Sequence, residues 1–316
     1  MPAITTRGAF SARGFGFGAS VGGAVGTVGI FALGGLSGTT TRNKYTFATD
    51  TNGSAAAASN SSNHGSATGN STRGIFALGY ACGAYSNIRN KFTYSCCSST
   101  ASGVGVASAA SFGVSAAGNS TRGIFALGRI SCTYSPTRNK YTYACDTSGL
   151  ASAASSASAC GSAVGNSTRG IFALGISGGV GSTTRNKFTY ACCSSTPSGV
   201  ASASIASYLS SAAGNSTLGI FALGYAAGCN STRNKYTYAT DTNGAAAAAS
   251  SASRGGSAAG NSTLGIFALG YACGSTTVRN KYTYACCSST ASGVGSASGG
   301  SIYGSAASNG TCGVNV

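Results

Sequence analysis

Acid is almost missing from this 316-residue chain: it has three Asp, no Glu, one His and no Trp, and charged residues make up only 7% of it. General acid–base and nucleophilic enzymes need titratable groups gathered at a cleft. The sole histidine, His64, sits in a polar Asn/Ser stretch and reads as a solvated loop residue. Asp50, Asp146 and Asp241 are far apart in sequence, and each is followed by Thr and then Asn-Gly or Ser-Gly, which is turn chemistry. No catalytic residue, metal site or cofactor is expected. Phosphate-loop and dinucleotide fingerprints are missing, because the glycines follow a repeat instead. No run of about 18 strongly apolar residues is present, so no membrane insertion is expected. Thirteen cysteines include no Cys-x-x-Cys pair, which argues against a zinc ribbon.

What is present is basic, small and aromatic. Nineteen Lys and Arg give a formal charge of +16, which favours a polyanionic partner such as nucleic acid, an anionic surface or an acidic subunit. Gly numbers 50, and Ala and Ser fill long stretches. Low-complexity disorder would lack aromatics, yet Tyr and Phe make 9% of the chain and recur at fixed positions. The chain is therefore expected to be ordered. Arg7 and Arg13 before a Gly/Ala/Val-rich run resemble a signal peptide. The hexapeptide ending that run recurs five more times, which assigns it to the fold.

That hexapeptide, Gly-Ile-Phe-Ala-Leu-Gly, begins at Gly29, Gly74, Gly123, Gly170, Gly219 and Gly265. A second block, Arg-Asn-Lys-Tyr/Phe-Thr-Tyr/Phe, begins at Arg42, Arg89, Arg138, Arg185, Arg233 and Arg279. Copies are 45 to 49 residues apart, the period of propeller blades. The first block is a continuous apolar run, as in a strand buried on both faces. The second alternates, so that Asn43, Tyr45 and Phe47 face one way, buried against a neighbouring copy. Arg42, Lys44 and Thr46 face the other way, and this basic face is expected to be wet. A small-residue strand and a Gly-Asn turn expected to use positive φ precede the first block in most copies. An Ala/Ser-rich strand follows the second. Eight residues after the block's Arg, alternate copies carry Asp50, Asp146 and Asp241 or Cys97, Cys193 and Cys287. The larger unit is thus a pair of copies, about 95 residues, present three times. Four strands per copy and six copies predict an all-β, six-bladed β-propeller with a pseudo-threefold, two-blade internal repeat. An open β-solenoid is the competing arrangement.

The stretch ending at Gly270, GSAAGNSTLGIFALG, resembles the first two strands of a kelch blade, and RNKYTYA resembles its third. The likeness covers residues 21–316 and departs from kelch in lacking the blade Trp and, after the apolar strand, the double glycine everywhere except at Gly34-Gly35. Some kelch-like propellers are copper oxidases, but the histidine ligands which that activity implies are missing. Residues 5–18, TTRGAFSARGFGFG, resemble the openings of small Gly-rich virion proteins of tailed bacteriophages. That resemblance implies a docking segment at residues 1–20 ahead of a propeller at 21–316.

Cys82 with Cys96, Cys132 with Cys145, and Cys273 with Cys286 flank strand–loop–strand units and could form disulfides in an oxidising setting. Alternatively, these cysteines are small buried apolar residues. Asn-Ser-Thr sequons at Asn70, Asn119, Asn166, Asn215, Asn230 and Asn261 read as turn chemistry more than as glycan sites. The expected binding residues are the six block arginines together with Lys44, Lys91, Lys140, Lys187, Lys235 and Lys281, twelve of the nineteen cations. Gathered on one rim, they would meet an acidic virion protein, host-surface polysaccharide or another polyanion through repeated weak contacts. The expected function is a non-enzymatic structural or host-contacting module of a phage virion, in several copies. The alternative is a secreted or cell-surface propeller lectin that binds glycans between blades.

Overall fold

The structure, a computed structural model, describes residues 26–310 apart from 82, 197–199 and 273. The expected docking segment at residues 1–20, and Cys82 and Cys273, lie outside the described residues. All regular elements among the described residues are β-strands, which form six four-stranded antiparallel sheets together with two small two-stranded sheets and one of three strands. Sheet two shows the plan. Ser66–Gly69 pairs with Arg73–Ala77, which pairs with Arg89–Thr93, which pairs with Ser98–Thr100. These are the small-residue strand, the apolar hexapeptide, the basic-aromatic block and the small polar strand, in the order expected. Sheet one differs in its origin. Its first strand is Ser305–Ser308, near the end of the chain, paired with Val28–Ala32 near the beginning.

The turn between the first two strands is built by asparagine. In the third copy Asn119 Oδ1 accepts from the backbone N–H groups of Thr121 and Arg122, each at 3.0 Å, without a positive φ at Gly118 or Asn119. The expected positive φ is unnecessary because the side chain closes the turn itself. Asn119 Nδ2 then donates to Ser167 O of the next copy at 3.0 Å. Asn70, Asn166 and Asn215 do the same, and Asn261 reaches Gly26 O. These amides are hydrogen-bonded to protein, and Asn166 and Asn261 are buried, which supports turn chemistry over glycan attachment.

Small residues let the sheets approach face to face. A Cβ on Gly123 would come within 2.5 Å of Thr68 Cγ2 in the preceding sheet. Into this narrow interior the hexapeptides send Ile30, Phe31 and their equivalents, and the blocks send Tyr45, Phe47 and theirs, all buried as expected. The first strands also touch one another in succession, from Ser66–Gly69 through Ser115–Gly118, Ser162–Gly165, Ser211–Gly214 and Ser257–Gly260 to Ser305–Ser308, which touches Ser66–Gly69 again.

A run of backbone hydrogen bonds follows the same order. His64 N donates to Tyr303 O, Gly113 N to His64 O, Cys160 N to Gly113 O, Leu209 N to Cys160 O, Gly255 N to Leu209 O, and Tyr303 N to Gly255 O. All six residues have φ between 50° and 67°. For the non-glycine ones this left-handed conformation costs on the order of 1 kcal/mol each, offset by satisfying buried backbone groups.

Candidate functional site

The six block arginines are not on a wet face. Arg42, Arg89, Arg138, Arg185, Arg233 and Arg279 are at most 2% exposed. Each guanidinium lies over the hexapeptide Phe of the next copy, from Arg42 over Phe76 at 4.4 Å to Arg279 over Phe31 at 4.5 Å. Each also donates to the block Asn of the next copy: Arg42 to Asn90, Arg138 to Asn186, and Arg279 to Asn43. Burial lowers their pKa to about 10, still protonated at neutral pH. The expectation failed because alternation along a strand assigns one face to solvent only if that face is uncovered, and here both faces meet a neighbouring sheet. These six cations hold sheets together and are unavailable to a polyanion.

The six lysines divide into two sets. Lys91 pairs with Asp146, Lys187 with Asp241 at 2.5 Å, and Lys281 with Asp50. Asp146 and Asp241 also accept from Arg73 at 3.0 Å and Arg169 at 3.2 Å, whereas Leu264 stands at the equivalent position facing Asp50. Tyr45, Tyr141 and Tyr236 donate to the Asp of their own copy. Burial pushes the Asp146 and Asp241 carboxyls up, but the hydrogen bonds and charges of lysine, tyrosine and arginine outweigh it and hold them below the ordinary range. Lys44, Lys140 and Lys235 face the copies that carry Cys97, Cys193 and Cys287 instead of Asp, and among the described residues they have no carboxylate partner. Both residue types occupy one turn position with φ of 50–53°.

Cys132 and Cys145 are exposed free thiols, and Cys96 and Cys286 are free as well. Cys132 lies in the turn between Arg129–Ile130 and Thr133–Tyr134, while Cys145 follows Arg138–Thr142. The two flank opposite ends of that five-residue strand, about 17 Å of extended chain, and a disulfide needs Cα atoms within about 7 Å. A disulfide would need the two cysteines on adjacent strands at the same end, and they are not. Cys96 and Cys286 occupy the equivalent turn of their own copies, after Arg89–Thr93 and Arg279–Thr283.

The other end of the sheets carries the hydrogen-bonded run of left-handed residues. A cavity of about 40 Å³ at its middle is lined by His64, Gly113, Cys160, Leu209, Gly255 and Tyr303, among others. His64 is not a solvated loop residue. Its ring stacks on Tyr303 at 3.7 Å and lies 4.2 Å from Phe112, Nδ1 is 3.0 Å from Asn63 Oδ1, and burial lowers its pKa to about 4.

Just outside this run, each sheet contributes two facing residues: the one before the left-handed residue, and the one after the hexapeptide's last glycine. The pairs are Ile302 with Gly35, Asn63 with Tyr80, Phe112 with Arg129, Ala159 with Ile176, Tyr208 with Tyr225, and Arg254 with Tyr271. No two are alike, although the strands beneath them repeat almost residue for residue. Tyr80, Tyr85 and Phe112 cluster here, with Tyr85 stacked on Phe112 at 5.6 Å. Arg129 lies over Tyr134 at 5.1 Å, and Arg254 lies between Tyr225 and Tyr271. Reading the sequence for its repeats passed over these residues. Aligning the copies on the hexapeptide and asking where they stop agreeing would have found them. Comparison with known protein families returns no match, and comparison with curated proteins returns none either.

Proposed function

We propose that the chain is a non-enzymatic, six-bladed β-propeller of kelch-like plan, and that it serves as a host-contacting structural component of a bacteriophage virion. The hydrogen-bonded run that returns from Tyr303 to His64, and the arginine–asparagine series that returns from Arg279 to Asn43, support a closed ring over an open solenoid. A solenoid would leave the first and last copies without these partners. The alternation of Asp and Cys at one turn position, with Asp-paired lysines in every second copy, supports the two-blade internal repeat. The single observation that carries a binding role is the concentration of sequence differences on one face of a near-identical scaffold. Packing explains why the scaffold repeats; it does not explain why six equivalent face positions hold six different pairs.

Each Asp is tied to a lysine and a tyrosine, which supports structural work for it, and polysaccharide hydrolysis and copper-dependent oxidation are expected at background. The virion context rests on the resemblance of residues 5–18, which would attach the propeller to other virion proteins. Purified particles probed with an antibody against the propeller should carry it in stoichiometric amounts, visible by immunogold labelling. Its loss on gradient purification of intact particles refutes the virion reading and leaves the secreted lectin.

A further inference from the structure

We propose that Arg254, held between Tyr225 and Tyr271 on the variable face, is the anchor of a binding site for a carboxylate-bearing sugar, with Tyr208 and Tyr303 beside it. The proposal rests on the reading of that face as a binding surface and names the ligand chemistry that fits it.

The guanidinium carbon of Arg254 is 5.1 Å from the Tyr225 ring centre and 5.0 Å from that of Tyr271. Two aromatic faces fix the plane of the group and strip much of its water. The backbones of Arg254 and Tyr271 exchange hydrogen bonds of 3.0 and 2.8 Å, so the clamp is built on paired chain. No nitrogen of the guanidinium donates to another group among the described residues. An enclosed, partnerless Nε it shares with Arg129 and the block arginines, so its free terminal nitrogens set it apart. The contrast with the block arginines is sharp: those spend their donors on Asn, Ser and backbone carbonyls, and Arg129 spends one on Cys132 O at 2.8 Å. A planar, oriented guanidinium with free donors matches a carboxylate in two-point fashion.

The surroundings select the rest of the ligand. Tyr208 lies 5.1 Å from Tyr225 at 46°, and Tyr303 is half-buried next to the left-handed Gly255. Arg254's charge reaches the Tyr303 hydroxyl and partly offsets the burial that raises that phenol. Half-covered rings with phenol hydroxyls suit a sugar, which has an apolar C–H face and a rim of hydroxyls. The neighbouring cavity, about 40 Å³, holds little more than a water or two. It offers no pocket for the anchor side chain of a peptide, so the ligand lies across the face.

The test uses the full chain and a uronic-acid oligosaccharide, with the same oligosaccharide reduced at its carboxyls, polyaspartate and single-stranded DNA as competitors, read by calorimetry. Wild type should prefer the unreduced oligosaccharide. Arg254→Gln should weaken it about tenfold or more, the scale of a lost charged hydrogen-bond pair, and Arg254→Lys should recover only part, since it keeps charge without the fork. Arg122→Gln, at the opposite end of the sheets, should leave it unchanged. Unaltered thermal midpoints keep the comparison on binding. Equal binding by Arg254→Gln and wild type, equal affinity for polyaspartate or DNA, or no wild-type binding would each overturn the proposal. None of these results depends on whether the protein is found on particles, so failure here and failure of the virion reading are separable.

Discussion

Replacing lysines three at a time should separate the two lysine sets. In one triple, Lys91, Lys187 and Lys281 become Gln; in the other, Lys44, Lys140 and Lys235 do. Side chains of the paired set are 21–24% exposed and their Asp partners 16–21%. Two unit charges 4 Å apart attract by about 4 kcal/mol at an effective dielectric of about 20. Desolvation and side-chain ordering take back much of this, and fully exposed pairs retain only about 0.2–1 kcal/mol. We expect about 1–2 kcal/mol per pair here. The pairs lie between different sheets and should add, giving about 3–6 kcal/mol for the first triple and near zero for the second. Lys281→Gln alone should cost the most, because Asp50 has no arginine to fall back on, whereas Asp146 keeps Arg73 and Asp241 keeps Arg169. Urea titration at low salt measures the difference without screening the charges. Binding to an immobilised polyanion should show the reverse order, with only the second triple losing affinity and salt sensitivity. Equal destabilisation by both triples would refute the assignment of paired and unpaired lysines.

Acid should lower the stability of the protein over two separable pH ranges. His64, neutral because its pKa is lowered to about 4, contributes stability that is full above its unfolded value of about 6.5 and is lost as pH falls from there through 4; His64→Gln should flatten that limb of a urea-midpoint profile. The lowered carboxyls of Asp146 and Asp241 contribute stability present above their unfolded value of about 4, lost as pH falls through their folded values, and the Asp146→Asn, Asp241→Asn double variant should lose this lower limb only. Hydrogen bonds from Ser98, Ser194 and Ser288 lower the thiol pKa of Cys96, Cys192 and Cys286, while burial pushes Cys160 up to about 12. Timed iodoacetamide labelling with peptide mass spectrometry should therefore modify the first three well before Cys160; the reverse order would contradict this placement.

Strand type and order could be read from the sequence because each copy states them redundantly. An apolar hexapeptide has no polar face to expose, and an alternating block has one buried face. The fate of the block arginines could not be read this way. Whether Arg138 meets water depends on Phe172 and Asn186 in the next copy, and strand periodicity carries no information about the next sheet. His64 was misread for a related reason: its neighbours in sequence are polar, but its stacking partners are 48 and 239 residues away, at Phe112 and Tyr303. The cysteine pairing failed on direction. Two residues on either side of a single strand lie at its opposite ends, not side by side.

Sheet one is completed only by Ser305–Ser308, with Val28 N bonded to Asn309 Oδ1 across 281 residues of chain. A ribosome making this protein therefore releases a first sheet of three strands, whose inner edge stays bare until the sixth copy emerges. The five sheets between are local in sequence and can form as they appear, but the last pairing has the largest loop-closure cost in the molecule. Until it forms, two strand edges, Val28–Ala32 and the trailing Ser305–Ser308, are open to any equivalent edge on another nascent chain. At high expression the competing product is an exchange of closing strands between molecules, and dilution or slow synthesis should favour the monomer.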